Sequence, residues 1–179
     1  MYNNIKLINL LSNKSTKNWI LAKIPVITFY TVYQILVNEI KRFEGCHLGE
    51  LGSHTSSDRT SKSSGDIEVF KDSRLVESLE IKYDIEIDNH MINNVIPKIH
   101  KFNPRRYYVL STSGINEKDY SEIISKVHLL KKEHGCQLIL NGLLSTLKYY
   151  LRLISDLKIF LNLFTENILE DKELKIIHK

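Results

Sequence analysis

The hydrophobic pattern of this chain switches from a helical to an extended period ahead of Asp66, and that switch limits the folds open to it. From Phe29 to Phe43 apolar residues recur at spacings of three and four: Phe29, Val32, Tyr33, Leu36, Ile40 and Phe43. Such spacing puts them on one helical face. Pro25 stands just ahead, where a helix can begin, and Gly45 where one can end, so the pattern predicts an amphipathic helix over Val26–Glu44. Gly49 to Gly65 (GELGSHTSSDRTSKSSG) then has almost no apolar residue and reads as a polar loop. Beyond it the period is two. Asp66–Phe70 alternates as a strand, Lys71–Arg74 is a turn, and Leu75–Tyr83 is a second strand, which together predict a hairpin.

Helical and extended patterns alternate after the hairpin. Asp88–Lys101 carries the stripe Met91, Ile92, Val95, Ile96 and Ile99, with Pro97 arguing against its middle. Arg106–Ser111 reads as a buried strand. Asn116–His134 is a helix with Tyr120, Ile123, Ile124, Val127 and Leu130 inward, ended by Gly135. Gln137–Leu140 is a short strand, and helices follow over about Leu143–Ser155 and Asp156–Ile177. A hairpin followed by helix-linked strands implies an α/β fold: a mixed central sheet flanked by helices. The length of 179 residues suits a single domain, with a core over about 26–140 and a helical carboxyl-terminal extension over about 142–179.

Composition removes several classes of function. The formal charge is +4, from 25 Lys and Arg against 21 Asp and Glu, which permits a polyanionic partner without requiring one. Two cysteines, Cys46 and Cys136, are too few for a disulfide framework and point to a reducing cytoplasm. Cys46-His47 and His134-Gly135-Cys136 lack the short spacings of a zinc site. Trp19–Val37 is largely apolar, but Lys23, Pro25 and Gln34 interrupt it, so it reads as a buried helix rather than a membrane span. The opening MYNNIKLINLL lacks the features of a signal peptide. There is no Gly-rich phosphate loop, and the histidines, His128 and His134 among them, show no catalytic spacing.

The hairpin holds the residues that carry chemistry. In Leu79-Glu80-Ile81-Lys82, period two sends Glu80 and Lys82 to one face and Ile81 to the other. Pairing with the first strand can bring Asp66 beside Glu80. Two carboxylates forced together repel unless a proton or a cation joins them. A magnesium ion satisfies such a pair, because it takes oxygen ligands and keeps several waters, and the Ile81 carbonyl could add another oxygen. Held there, it would lower the pKa of a bound water and bridge a phosphate oxygen, with manganese as a substitute. Lys82 would orient or deprotonate that water and counter charge on the phosphorane.

Asp66 followed by Glu80-Ile81-Lys82 resembles the PD-(D/E)xK nuclease superfamily, the fold of many type II restriction endonucleases. The resemblance covers roughly Val26 to Leu140. It implies an αβββαβ core and a magnesium-dependent endodeoxyribonuclease that cuts double-stranded DNA at a specific site. It also implies a further acidic residue on the first helix, for which Glu39 is preferred over Glu44. Gly65 stands where many members have proline. A restriction enzyme cutting a symmetric site would act as a homodimer, alongside a cognate DNA methyltransferase. A structure-specific or repair nuclease of the same fold, or an inactive DNA-binding or assembly module, would carry the same pattern.

Residues for gripping DNA are suggested by composition. The loop Ser53–Ser64 brings His54, Ser56, Arg59, Lys62 and Ser64 directly ahead of Asp66, and hydroxyls and cations of that kind suit phosphate and base-edge contacts. Arg105 and Arg106, after Asn103-Pro104, form a second basic spot that could hold a phosphate or be a capped turn. Lys148 and Arg152 accompany Tyr149 and Tyr150, a pattern that fits a core helix with a basic solvent face better than a nucleic-acid platform.

Overall fold

A computed structural model of the chain describes residues 14–51, 63–171 and 174. The elements are helix α1 (Lys14–Glu39), a 3-10 turn (Lys41–Phe43), strands β1 (Cys46–Leu48), β2 (Ile67–Lys71) and β3 (Arg74–Lys82), helix α2 (Asn89–Phe102), strand β4 (Arg106–Ser111), helix α3 (Tyr120–Glu133), strand β5 (Gln137–Gly142), and helices α4 (Leu143–Leu151) and α5 (Leu157–Glu170). The five strands form one mixed sheet in sequence order. β1 and β2, and β2 and β3, pair antiparallel, whereas β3, β4 and β5 run parallel. The expected α/β architecture with a mixed sheet is therefore present.

The hairpin forms with a two-residue turn. Asp72 and Ser73 both have positive φ, 49° and 62°, as a turn matched to the twist of its strands requires. β1 is a strand that the sequence reading did not place. Its three residues are too few to show a period, and it forms because β2 offers it an edge. β4 has the predicted bounds, and β5 runs two residues further than expected, to Gly142. α2 begins after Asp88, whose Oδ1 accepts from Met91 N at 2.7 Å, and it carries Pro97 within it. Asn103 ends α2 with φ 53°, a left-handed cap that asparagine tolerates.

The first helix differs most from expectation. It runs from Lys14 to Glu39, so Pro25 lies inside it rather than before it. It is also buried on two sides. Phe29, Val32, Tyr33 and Leu36 pack in the core with Ile67, Val69, Leu79 and Ile81 of the sheet. Ile27, Thr31 and Ile35 are buried as well. α5 covers that side, where Asn167 Nδ2 donates to Thr31 Oγ1 at 2.8 Å and to Gln34 Oε1 at 2.7 Å. Lys23 is buried there too, 3.3 Å from Asp171. This is the one helix among the described residues long and apolar enough to cross a membrane, and half of its apolar window is buried inside the protein.

The layers follow from strand parity. Tyr108 and Leu110 face α1 and α4, while Tyr107 and Val109 face α2 and α3. In β3 the residues paired with these alternate likewise: Leu79 and Ile81 face α1, and Ser78, Glu80 and Lys82 face α2 and α3. α3 buries Ile123 and Leu130, whereas Tyr120, expected inward, is exposed at its first turn. The free cysteines lie on or beside opposite edge strands, β1 and β5. Four strand spacings of about 4.8 Å separate those edges, which rules out a shared zinc site.

Candidate active site

The site forms where β2 begins and β3 ends. Ile67 pairs with Leu79, so Asp66 stands across from Glu80. Asp66 N donates to Leu79 O at 2.7 Å, and Ile81 N donates back to Asp66 Oδ2 at 2.7 Å. The carboxylate thus takes the place of the next backbone partner on that edge of β3. Gly65 makes this approach possible. A Cβ there would meet both Leu79 O and Ser78 Oγ at 2.5 Å, inside any permitted contact. The position before the aspartate is glycine because β3 leaves no room for a side chain.

Glu80 lies deep between cations. Its Oε1 accepts from Lys82 Nζ at 2.7 Å and its Oε2 from Lys98 Nζ at 3.1 Å; Tyr107 OH also lies 3.1 Å from Oε2, sharing its single proton between that oxygen and the nearer Ser64 O. Burial opposes ionisation of the Glu80 carboxyl, but Lys82 and Lys98 outweigh it and hold the group below the usual carboxylate range. Burial likewise opposes the Lys82 ammonium, and Glu80, then Asp66, more than compensate, so its pKa is raised. The Tyr107 phenol is pushed far up by burial, Glu80 and Asp66, and remains a neutral donor. Both Asp66 and Glu80 therefore act on the same two groups, which places the acids and Lys82 in one electrostatic neighbourhood. Tyr107 also donates to Ser64 O at 2.5 Å, tying the chain entering Asp66 to β4.

A pocket of about 250 Å³ opens at this end of the sheet, lined by Ala22, Lys23 and Val26 of α1 and by Asp66, Ile81, Lys82, Tyr83 and Ile85. It lies beyond the carboxyl ends of parallel strands, where open α/β sheets bind ligands. The donor set suits a hard ion. Asp66 lines the pocket, Glu80 lies beside it on the face toward α2 and α3, and Ile81 turns its backbone toward β2, as its N–H to Asp66 shows. Among the described residues no three His, Cys, Asp or Glu side chains gather into a metal cluster. Magnesium does not need one, since it binds through one or two carboxylates, waters and substrate phosphate.

Other predicted residues lie elsewhere. Glu39 accepts from Ser155 N at 3.0 Å and Ser155 Oγ at 2.7 Å, at the far end of α1. Sixteen residues separate it from Lys23, about 24 Å of helix. Glu44 is no closer: its backbone carbonyl accepts from Lys71 Nζ at the hairpin turn. Ser64 is fully buried, bonded to Glu68 Oε1 and Ser78 Oγ, so it braces the strand start and faces no solvent. Arg106 Nη1 binds Glu77 Oε1 at 3.1 Å, together with Arg42, on the sheet face opposite Glu80. Glu77 stands three residues from Glu80, roughly 10 Å along the strand. Arg105 is exposed at that same distant end of β4. His54, Ser56, Arg59 and Lys62 lie outside the described residues. On α4, Tyr150 is core while Tyr149, Lys148 and Arg152 are exposed.

Two partners of Glu80 escaped the sequence reading. Lys98 flanks the apolar stripe of α2 between Pro97 and Ile99, a position that looks like any solvated helix edge. Tyr107 sits in an unbroken apolar strand, and only the β3–β4 register gives it the parity of Glu80. The cluster of buried Glu77, Tyr33, Tyr108 and Tyr150 with exposed Arg42 was also missed, because its members come from five separate elements. No family model matches the sequence, and a search of curated proteins finds no match either.

Proposed function

We propose that the chain is a magnesium-dependent endodeoxyribonuclease of the PD-(D/E)xK kind, acting on double-stranded DNA as a type II restriction endonuclease. One observation carries the reading. Asp66, at the start of one hairpin strand, binds the backbone of Glu80-Ile81-Lys82 on the next, and both acids act on the Lys82 ammonium. The order α1–β1–β2–β3–α2–β4 supports it, since it runs as an αβββαβ core does.

Asp66, Glu80 and the Ile81 carbonyl would hold the ion, which would supply Lewis acidity and a more acidic water. The residues of the chain do the rest. The Asp66–Ile81 bond sets the distance between the two acids' strands before substrate arrives. Lys82 is a full ammonium at neutral pH, poised to neutralise a non-bridging phosphate oxygen as negative charge builds on it. Tyr107 places its hydroxyl beside Glu80 Oε2 while tying down Ser64 O, which braces the chain entering Asp66. Ala22, Val26 and Ile85 give the pocket an apolar wall that limits water around the reacting phosphate.

A symmetric cut needs two copies of the site. Exposed Leu144, Tyr149, Leu157 and Leu161 on the carboxyl-terminal helices are apolar surface suited to a homodimer contact. A DNA methyltransferase reading the same sequence would complete the system. The deciding test is incubation of varied plasmid DNA with and without magnesium. Discrete, magnesium-dependent fragments that Asp66→Ala abolishes, by about a thousandfold or more, support the reading; intact plasmid under all conditions, or equal cutting by the variant, refutes it.

A further inference from the structure

Among the described residues, two cations at the site come from outside the hairpin: Lys23 of α1, which lines the pocket, and Lys98 of α2. Only the second is hydrogen-bonded to Glu80. It reaches across from α2, and its Nζ lies 3.1 Å from Glu80 Oε2 while Lys82 holds Oε1 at 2.7 Å. Glu80 is 13 % exposed and Lys98 26 %. The carboxylate is thus enclosed, while the ammonium keeps an open side toward solvent on a long, flexible stem. Both carboxylate oxygens are occupied, one by each lysine. Each oxygen has a second lone pair, but an ion that binds Oε2 would stand against the Lys98 ammonium already 3.1 Å from that oxygen, and like charges repel. Lys82 is the less suited to leave, since it also feels Asp66 and lies on the same strand as Glu80. Lys98 is held by Glu80 alone among the bonds described for it.

Resting on the nuclease reading above, we propose that Lys98 is a placeholder cation, which metal loading displaces from Glu80 onto a DNA phosphate. Without metal it satisfies a buried carboxylate that would otherwise stand with one partner fewer. With metal, Glu80 exchanges Lys98 for the ion. The freed ammonium then lies beside the site, repelled by the new positive charge and attracted by phosphate oxygens. Metal binding and DNA binding are coupled through this one side chain: the phosphate contact exists only after the ion is in place.

The test uses the full chain and has two readouts that need no cleavage. Manganese binding is measured calorimetrically for the wild type, Lys98→Gln, Lys98→Arg and Asp66→Ala. Lys98→Gln should bind manganese about tenfold more tightly, because the ion no longer competes with an ammonium, and Lys98→Arg should stay near the wild type. Binding of a DNA duplex is then measured in calcium and in EDTA. Lys98→Gln should lose several-fold affinity in calcium and none in EDTA. Unchanged or weaker manganese binding by folded Lys98→Gln overturns the inference, as does an equal loss of DNA affinity in both buffers. If the wild type binds no manganese, or Asp66→Ala binds it equally well, the nuclease reading itself fails. The two failures are therefore distinct.

Discussion

Gly65 shows how a single residue decides whether the site can form. The space its missing side chain leaves is filled by the Leu79 carbonyl and the Ser78 hydroxyl. Gly65→Ala must push β2 away from β3 and strip Asp66 of its bond to Ile81. We expect a loss of about 1–3 kcal/mol in urea unfolding, the usual cost of overpacking. Glu80 offers a test by pH. Its folded pKa is depressed, so its contribution is fully present above the unfolded-state value of about 4.3 and is lost as pH falls through the lower folded value. Urea midpoints of Glu80→Gln should therefore decline less than those of the wild type between neutral pH and pH 3. Lys82 has the opposite sign: its raised pKa stabilises below the unfolded-state value of about 10.4 and is lost as pH rises through the folded one. At this scale the sequence showed Asp66, Glu80 and Lys82, because acid and amine at period two are visible in one dimension. Lys98 and Tyr107 were not visible, since nothing local marks a helix-edge lysine or a strand tyrosine as facing a particular carboxylate.

Among the elements, α1 departs most from its sequence pattern, and the reason is its position between two layers. A helix with the sheet on one side and α5 on the other needs apolar residues all round. The stripe from Phe29 to Phe43 was therefore only half of its buried surface. Burial also carries the helix through Pro25, whose ring removes a bond to the Leu21 carbonyl. Pro25→Ala should restore that bond and raise stability by up to about 3 kcal/mol in denaturant unfolding. A fall in stability would mean that the partly buried ring fills space that alanine leaves empty. β1 teaches the converse: three residues carry no periodicity, so an edge strand of that length exists only through its partner. β3, β4 and α2 were legible because each is long enough to repeat its own pattern and is ended by its own caps, Asn103 for α2 and the Asp72-Ser73 turn for β3.

On the scale of the whole molecule, α5 is part of the structure rather than an appendage. It packs along α1 and bonds Thr31, Gln34 and, beyond its end, Lys23. Lys23 also lines the pocket beside Asp66, so the extension reaches the site through α1. Truncation after Asp156 should leave Lys23 buried without Asp171 and expose the outer face of α1. We expect loss of near-ultraviolet circular dichroism and gain of dye binding to apolar surface, and a shortened chain with native spectra would refute this. Sequence alone determined the alternation of elements, the hairpin and the three residues that lie along it, because periodicity and turn chemistry act between neighbours in the chain. Tertiary structure alone decided that Glu39, Ser64 and Arg106 serve other contacts, that Lys98 and Tyr107 meet Glu80, and that α1 is covered twice. Those outcomes depend on which faces and ends meet when distant segments pack, and no local pattern encodes that.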